Sequence, residues 1–287
     1  MLDLACSSAL AALAVAVTIA YAVRVSRRGA ARFARVDRAG RSPLLGRSAM
    51  QMGYWAMRPV ALALVAVGVS ANAISWASLA LAAAAGASLA AGRFGLGAAL
   101  SLASSSCDAL DVMIARETAT ASESGEVLDA TIDRYAELLF FGGVAVQERQ
   151  SPSLLVLTLA AAAGAIMVSY ATAKAESLQV DAPRGAMRRP ERAVYLVLGA
   201  ALVPVAAAAR ARWGLPPWVE QAPLAAVLTL VAVVGNASAV GRLAAVAREL
   251  GARREPDSDR TAAPDRSTGN TDGVAAVSTS DAGSACR

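Results

Sequence analysis

Long apolar segments follow one another along most of this chain, and each is long enough to cross a lipid bilayer. A helix needs about 20 mostly apolar residues to span a hydrocarbon core of about 30 Å. Hydrophobic residues make up 56% of the 287 residues, more than soluble domains usually carry. Alanine and other small residues dominate these segments, which suits close helix packing inside a membrane. The sequence therefore predicts an all-α integral membrane protein.

The predicted spans form an N-terminal anchor and a core of six helices. Residues 2–23 are the first apolar run, which lacks the basic start of a signal peptide and is expected to remain as an anchor. Residues 48–68 mix apolar residues with Arg58 and Pro59, which predicts an amphipathic helix in the membrane interface. Six further spans are expected at 72–91, 94–116, 125–146, 153–175, 190–209 and 222–246.

Changes in composition divide the chain into four regions. These are the anchor at 1–24, a basic linker at 25–47, the membrane domain at 48–250 and a tail at 251–287. Nine arginines and one acid lie between Arg24 and Arg58, so the positive-inside rule predicts that this side faces the cytoplasm of an inner (plasma) membrane protein. The tail has almost no large apolar residues, which predicts disorder.

The residue types that the chain lacks exclude several kinds of chemistry. There is no His, and the three cysteines, Cys6, Cys107 and Cys286, lie far apart without zinc-site spacing. A bound metal would therefore need carboxylate ligands, which favours Mg²⁺ or Mn²⁺. The net charge of +5 comes from arginines beside apolar segments, which favours membrane lipid over nucleic acid as the partner.

Four aspartates lie at the facing ends of two neighbouring predicted spans. Asp108 and Asp111 are three residues apart at the end of one span. Asp129 and Asp133 are four residues apart at the start of the next. Both spacings put the two carboxylates on one helix face, and the short loop makes the helices antiparallel neighbours. Because four converging carboxylates repel one another, they predict a site for two divalent cations.

An alternative is that these aspartates only face water at the helix ends. Against it, Arg116 and Arg134 are the only basic side chains nearby in the sequence, too few to neutralise four aspartates and the acids of the loop. A carboxylate at a bilayer is also costly, by at least about 2.5 kcal/mol, and is functional by default.

The stretch around the aspartates resembles the signature of the CDP-alcohol phosphotransferase family, D-x2-D-G-x2-A-R-x8-G-x3-D-x3-D. The matching positions, all at the family's spacing, are Asp108, Asp111, Ala115, Arg116, Gly125, Asp129 and Asp133. One position departs from the pattern, because Val112 stands at the family's first glycine. The resemblance covers roughly residues 55–250 and implies a six-helix membrane core preceded by an interfacial helix.

Shorter segments are similar to the members that resemble phosphatidylinositol phosphate synthase. They are SANAIS at 70–75, LDATIDRYAELLFFGG at 128–143, SYATAKAESL at 169–178 and RRPER at 188–192. The resemblance therefore implies transfer of a phosphatidyl group from CDP-diacylglycerol to a polyol phosphate, with release of CMP. Inositol phosphate is the expected acceptor. Members of the family are often homodimers, so the resemblance also implies a homodimer.

The resemblance also implies roles for single residues. The two metal ions, Mg²⁺ or Mn²⁺, are bound by Asp108, Asp111 and Asp129. Asp133 completes the metal cluster and is the general base. The donor is implied to contact Asn72, Ser75, Val112, Arg116 and Gly125. The acceptor is expected to contact Lys174, Arg189 and Arg192, each of which can also be an ordinary positive-inside residue.

Three alternatives to this function stay open from the sequence. Glycerol 3-phosphate is the second candidate for the acceptor. Val112 allows a degenerate, non-catalytic relative that binds metal or CDP-lipid, because a β-branched side chain intrudes where the glycine admits the nucleotide. A metal transporter is the weakest alternative, since carboxylates at cytoplasmic helix ends do not make a midplane site.

Overall fold

The computed structural model describes residues 1–29, 33, 46–180 and 185–261, with residues 254–261 described as backbone. This part of the chain is helical with no β-strand, which confirms the predicted fold class. The helices are α1 (Leu2–Arg28), α2 (Gly46–Ala66), α3 (Ala71–Ala90), α4 (Phe94–Glu117), α5 (Glu123–Gln147), α6 (Pro152–Ser177), α7 (Arg189–Trp213) and α8 (Ala222–Thr261). A 3₁₀ turn, Pro217–Val219, lies between α7 and α8.

Six helices in the described residues are long and apolar enough to cross a membrane, so the chain is a multi-pass membrane protein. They are the predicted anchor and five of the predicted core spans, namely Leu2–Arg28, Ala71–Ala90, Phe94–Glu117, Pro152–Ser177, Arg189–Trp213 and Ala222–Arg253. Helix α5 is as long as these but carries charged residues throughout its first half. The interfacial helix predicted at 48–68 corresponds to α2.

The chain divides into two compact units, Met1–Ala247 and Arg248–Arg287. Within the second unit, the helix continues to Thr261, and Glu249 pairs with Arg253 at 2.8 Å one turn away. The first residues of the predicted tail are therefore helical, since such i,i+4 pairs support a helix. Residues 262–287 of that tail lie outside the described residues. Most of the predicted linker does so as well, although α1 continues into it as far as Arg28.

Two of the helices that build the site begin at serine caps. The Ser70 side chain accepts a hydrogen bond from the Ala73 backbone N–H (3.3 Å) at the start of α3. The Ser122 side chain accepts one from the Gly125 N–H (3.2 Å) at the start of α5. A serine at this position satisfies an N–H that has no partner within the helix. These caps fix where the two helices begin.

Close helix contacts hold α3, α4 and α5 together. Gly86 of α3 and Gly143 of α5 cross without side chains, and a Cβ on either would overlap the backbone of the other helix. Ser78 of α3 and Ser104 of α4 exchange buried hydrogen bonds, including one of 2.9 Å from the Ser104 hydroxyl to the Ser78 carbonyl. Small residues at such crossings allow the close approach.

The interfacial helix α2 packs on the same helices. Ala61 of α2 forms a buried apolar cluster with Ile74 of α3 and with Leu110 and Ile114 of α4. Leu110 is the residue directly before Asp111. Helix α2 is therefore coupled by packing to the part of α4 that carries the aspartates.

The anchor helix α1 contacts the opposite end of α4. The Asp3 carboxylate accepts a hydrogen bond from the Leu96 backbone N–H (2.9 Å), in the first turn of a helix whose N-cap, Arg93, makes no side-chain cap bond. Gly95 permits this contact, because a Cβ there would collide with Asp3 and Ser7. An acidic group at a helix N-terminus stabilises it through the helix dipole.

Candidate active site

Three carboxylates from α4 and α5 meet in one group. One oxygen from each of Asp108, Asp111 and Asp129 lies within 4.8 Å of the others. Two unit charges at this separation repel by about 3 kcal/mol at an effective dielectric constant of about 20. The group therefore needs positive charge close by to remain ionised. Three of the four aspartates predicted to converge form this group.

Arg189 supplies part of that charge from the first turn of α7. Its guanidinium donates to the Asp108 carboxylate at 2.7 Å and also forms an ion pair with Asp133. Asp133 is buried and joins the group through this arginine. Arg189 was not among the basic residues counted near the aspartates in the sequence, because it follows Asp133 by 56 positions and lies on another helix.

Asp111 is the most enclosed member of the carboxylate group. It is 4% exposed, and its Oδ2 accepts a hydrogen bond of 2.6 Å from the Ser75 hydroxyl on α3. Its other oxygen, Oδ1, is buried and has no hydrogen-bond partner among the described residues. An unsatisfied buried carboxylate oxygen is unfavourable unless a cation binds it. The donor set of carboxylates therefore fits a hard divalent cation.

Ser75, which was predicted to contact the donor, donates its hydroxyl hydrogen bond to Asp111. Its hydroxyl also lies 3.2 Å from the Ala71 carbonyl oxygen, so it is engaged within the protein. Groups that hydrogen-bond to a metal-binding carboxylate orient it. Ser75 is thus placed to orient Asp111.

The other predicted donor residues differ in exposure. Asn72 and Arg116 are exposed, and Val112 is half-buried directly after Asp111. Gly125 lies in the first turn of α5, where its N–H is bound by the Ser122 cap. A Cβ at Gly125 would lie 3.2 Å from the Ser122 hydroxyl, so this glycine also suits the cap.

Arg192, which was predicted to contact the acceptor, is 1% exposed, and all three of its guanidinium nitrogens donate hydrogen bonds within the protein. It donates to both carboxylate oxygens of Glu137, from Nε at 2.9 Å and from Nη2 at 3.0 Å. It also donates to the Met187 carbonyl at 2.7 Å and to Ser169 at 3.3 Å. Such a bidentate buried pair fixes geometry between helices.

Lys174 is exposed in the last turn of α6. Near that end of the helix, Arg242 of α8 donates to the Thr172 hydroxyl at 2.6 Å and to the Gly185 carbonyl at 3.2 Å. Arg242 is buried, and its Nε has no hydrogen-bond partner among the described residues. The sequence reasoning missed it, although an arginine inside the predicted span 222–246 is the expected signal of a functional residue.

The fold and the site together define a multi-pass helical membrane protein with a carboxylate metal-type site where two neighbouring helices meet. Residues 68–237 match the family model for CDP-alcohol phosphatidyltransferase. The chain belongs to the CDP-alcohol phosphatidyltransferase family.

Two curated relatives illustrate where in the family the chain lies. It is 32% identical over 149 residues to the phosphatidylinositol phosphate synthase of Mycolicibacterium smegmatis, covering 50% of this chain and 67% of the relative. It is 36% identical over 110 residues to the archaetidylinositol phosphate synthase of Methanothermobacter thermautotrophicus, covering 38% of this chain and 55% of the relative. The chain thus spans between about half and two thirds of these relatives.

Solved structures extend the comparison to three dimensions. The phosphatidylinositol phosphate synthase of Mycobacterium tuberculosis with CDP-DAG bound superposes with a TM-score of 0.56 at 26% identity, covering 66% of this chain and 92% of that chain. A second structure of the same enzyme is a complex with manganese and citrate, with a TM-score of 0.56 at 26% identity. The similarity thus includes an enzyme solved with a CDP-lipid and, separately, with a divalent metal.

Proposed function

We propose that this protein transfers the phosphatidyl group of CDP-diacylglycerol to a hydroxyl of a polyol phosphate, with inositol phosphate as the acceptor, and releases CMP. The observation that carries the proposal is the meeting of three carboxylate oxygens within 4.8 Å on α4 and α5 of a chain from this family. The names of the relatives support the acceptor class, and the structure with CDP-DAG supports the donor.

Asp108, Asp111 and Asp129 would hold divalent cations, Mg²⁺ or Mn²⁺, and we propose two of them. The manganese complex of the relative supports this choice, as does the unpartnered Oδ1 of Asp111. Cations held there would polarise the diphosphate and stabilise the CMP leaving group. The remaining contribution of the protein is to orient the acceptor and to accept its proton.

Asp133 is proposed as the general base. Its carboxylate accepts the proton of the acceptor hydroxyl while the hydroxyl oxygen bonds to the phosphorus that carries the lipid. The bond from that phosphorus to the bridging oxygen breaks, and CMP leaves with the bridging oxygen. The ion pair with Arg189 lowers the basicity of Asp133, so we propose that Arg189 shifts from Asp133 toward the anionic acceptor during the reaction.

Arg189 and Lys174 are proposed to bind the phosphate of the acceptor. With divalent cations held by Asp108, Asp111 and Asp129, Arg189 would be available to bind the phosphate of the acceptor. Arg242 is added to this set, because its buried Nε has no hydrogen-bond partner among the described residues. Arg192 is proposed as a positioning residue that fixes Glu137, one turn after Asp133.

The site is proposed to face the cytoplasm of an inner membrane, in accordance with the basic linker after α1. Both substrates reach it there, the donor from the bilayer and the acceptor from water. A homodimer is the proposed assembly.

The test is release of CMP by the purified protein from CDP-diacylglycerol, with inositol phosphate, inositol and glycerol 3-phosphate as separate acceptors. The proposal expects CMP and a phosphorylated lipid product with inositol phosphate. CMP release with glycerol 3-phosphate but not with inositol phosphate would make glycerol 3-phosphate the acceptor. Donor binding without CMP release under every condition would support the non-catalytic alternative, which the half-buried Val112 at the family's glycine favours.

A further inference from the structure

A groove runs between the anchor helix α1 and the interfacial helix α2, and it shares no lining residue with the carboxylate site. Its volume is about 670 Å³, which lies in the range of small-ligand sites. Its apolar lining includes Ala16, Val17, Ala20, Trp55, Pro59 and Leu62. All of these residues precede the part of the chain that matches the family, residues 68–237.

Three arginines complete the lining of the groove, namely Arg24, Arg28 and Arg58. Arg24 donates one hydrogen bond, of 3.1 Å, to the Gly29 carbonyl. Among the residues that the structure describes, no carboxylate lines the groove or pairs with these arginines. The groove thus carries three positive charges, and its described walls contain no carboxylate that could neutralise them.

The charges lie at one end of an apolar stripe on α1. Val17, Ala20, Arg24 and Arg28 recur at three- and four-residue spacing, so they share one helix face that changes from apolar to basic. Across the groove, Trp55 contacts Tyr21 with ring centroids 5.5 Å apart. Tryptophan and tyrosine with arginine at the end of an apolar helix are typical of the membrane–water interface. The groove therefore joins a hydrocarbon environment to a basic one.

From this arrangement we infer that the groove binds an anionic phospholipid. The headgroup phosphate lies between Arg24, Arg28 and Arg58, and an acyl chain lies along the apolar wall of α1 and α2. Charge complementarity selects an anionic lipid over a zwitterionic one, because three basic side chains near a headgroup each attract its negative charge. The apolar wall selects a lipid over free phosphate, since only a lipid also covers the walls.

Tryptophan fluorescence tests the inference directly, because Trp55 lines the groove. The chain has four tryptophans, and the other three are exposed at 58%, 70% and 70%, namely Trp76, Trp213 and Trp218. Replacing these three with Phe leaves Trp55 as the only tryptophan in the full chain. The protein is reconstituted into vesicles of phosphatidylcholine that contain a small fraction of phosphatidylglycerol. The bromine label is placed either on the acyl chains of the phosphatidylglycerol or on an equal fraction of the phosphatidylcholine.

The groove is expected to concentrate the anionic lipid, so brominated phosphatidylglycerol should quench Trp55 more strongly than brominated phosphatidylcholine. Each arginine near an anionic headgroup is worth about fivefold in apparent affinity. Arg24→Gln, Arg28→Gln and Arg58→Gln together should therefore equalise the two quenching curves. Arg27→Gln is the matched control, because Arg27 is on the same turn of α1 but does not line the groove. It should keep the preference, and helical circular dichroism should be unchanged in all variants.

Three results would overturn the inference. They are equal quenching by the two lipids in the parent protein, a preference that survives the triple substitution, and a preference that Arg27→Gln reduces as much as Arg28→Gln. Inorganic phosphate separates the two sources of the anion. Because the apolar wall also binds the lipid, the preference should persist in its presence at constant ionic strength, and its complete loss would be a fourth result against the inference.

Discussion

Substitution of Ser75 by Ala tests whether α3 orients the carboxylate group. The Ser75 hydroxyl donates a hydrogen bond of 2.6 Å to Oδ2 of Asp111, and both side chains are buried at 5% and 4% exposure. A hydrogen bond to a charged group contributes about 1.5–3 kcal/mol. If the bond holds Asp111 in its metal-binding orientation, its loss should weaken cation binding by a factor of about 10 to 100, the usual effect of removing such a partner.

The assay is titration of the purified protein with Mn²⁺, followed by the loss of the free-ion signal in electron paramagnetic resonance. Ser78→Ala is the matched control, because Ser78 lies one turn away on α3, is 2% exposed and bonds to Ser104 rather than to a carboxylate. It should change the Mn²⁺ affinity little. The reasoning fails if Ser75→Ala binds Mn²⁺ like the native protein, or if the two variants lose affinity equally.

Four further outcomes are expected. EDTA should abolish CMP release and Mg²⁺ or Mn²⁺ should restore it, whereas full turnover in chelator would contradict a metal-dependent reaction. Asp133→Asn should lower turnover by a factor of about 100 to 10,000 while binding of CDP-diacylglycerol survives, and lost donor binding would argue against a base. Arg192→Met should leave Glu137 unpaired, lower the free energy of unfolding by about 3–5 kcal/mol and so lower the thermal unfolding temperature. The double variant with Glu137→Met should restore that temperature. Val112→Gly should tighten donor binding and cost up to about 1 kcal/mol of helix stability, measured by competition binding and thermal unfolding.

The helices themselves follow from local properties of the sequence. The spans predicted at 94–116 and 153–175 correspond to Phe94–Glu117 and Pro152–Ser177, because the length of an apolar run is set by the bilayer and its ends by charges, caps or proline. The facing of the two aspartate pairs also follows locally, from helical spacing and a short loop. These inferences need no knowledge of distant parts of the chain.

The partners of the aspartates could not be predicted in this way. Ser75 precedes Asp111 by 36 positions and Arg189 follows Asp133 by 56, so their contacts depend on how whole helices pack. The crossing of Gly86 and Gly143 fixes α3 against α5, and glycine has no side chain whose pattern could reveal its neighbour. Arg192 appeared similar to Arg189 in sequence, and only the structure separates them, by their burial and by their partners. Composition predicted that the last span ends at residue 246 and that a tail begins at residue 251, whereas α8 continues to Thr261.

The two arginines at the start of α7 meet the acids of α5 as two successive pairs with different properties. Arg189 and Arg192 are three residues apart, and Asp133 and Glu137 are four apart, so each pair of side chains occupies one face of its helix. The inner pair, Arg192 with Glu137, is 1% and 14% exposed and has further bonds to Met187 and Ser169. Removing either partner would leave a buried charge, so this pair holds α5 and α7 in register.

The outer pair has the opposite character. Arg189 is 25% exposed, and it divides its guanidinium between Asp133 and an equally exposed Asp108. Its binding to Asp108 competes directly with any cation that Asp108 would hold, so cation binding and the Arg189 contact are linked and each weakens the other. We therefore expect the inner pair to keep the helices in place and the outer arginine to exchange partners. On this basis one face of α7 provides both the fixed and the exchangeable positive charge that a phosphate-transfer site at the ends of α4 and α5 requires.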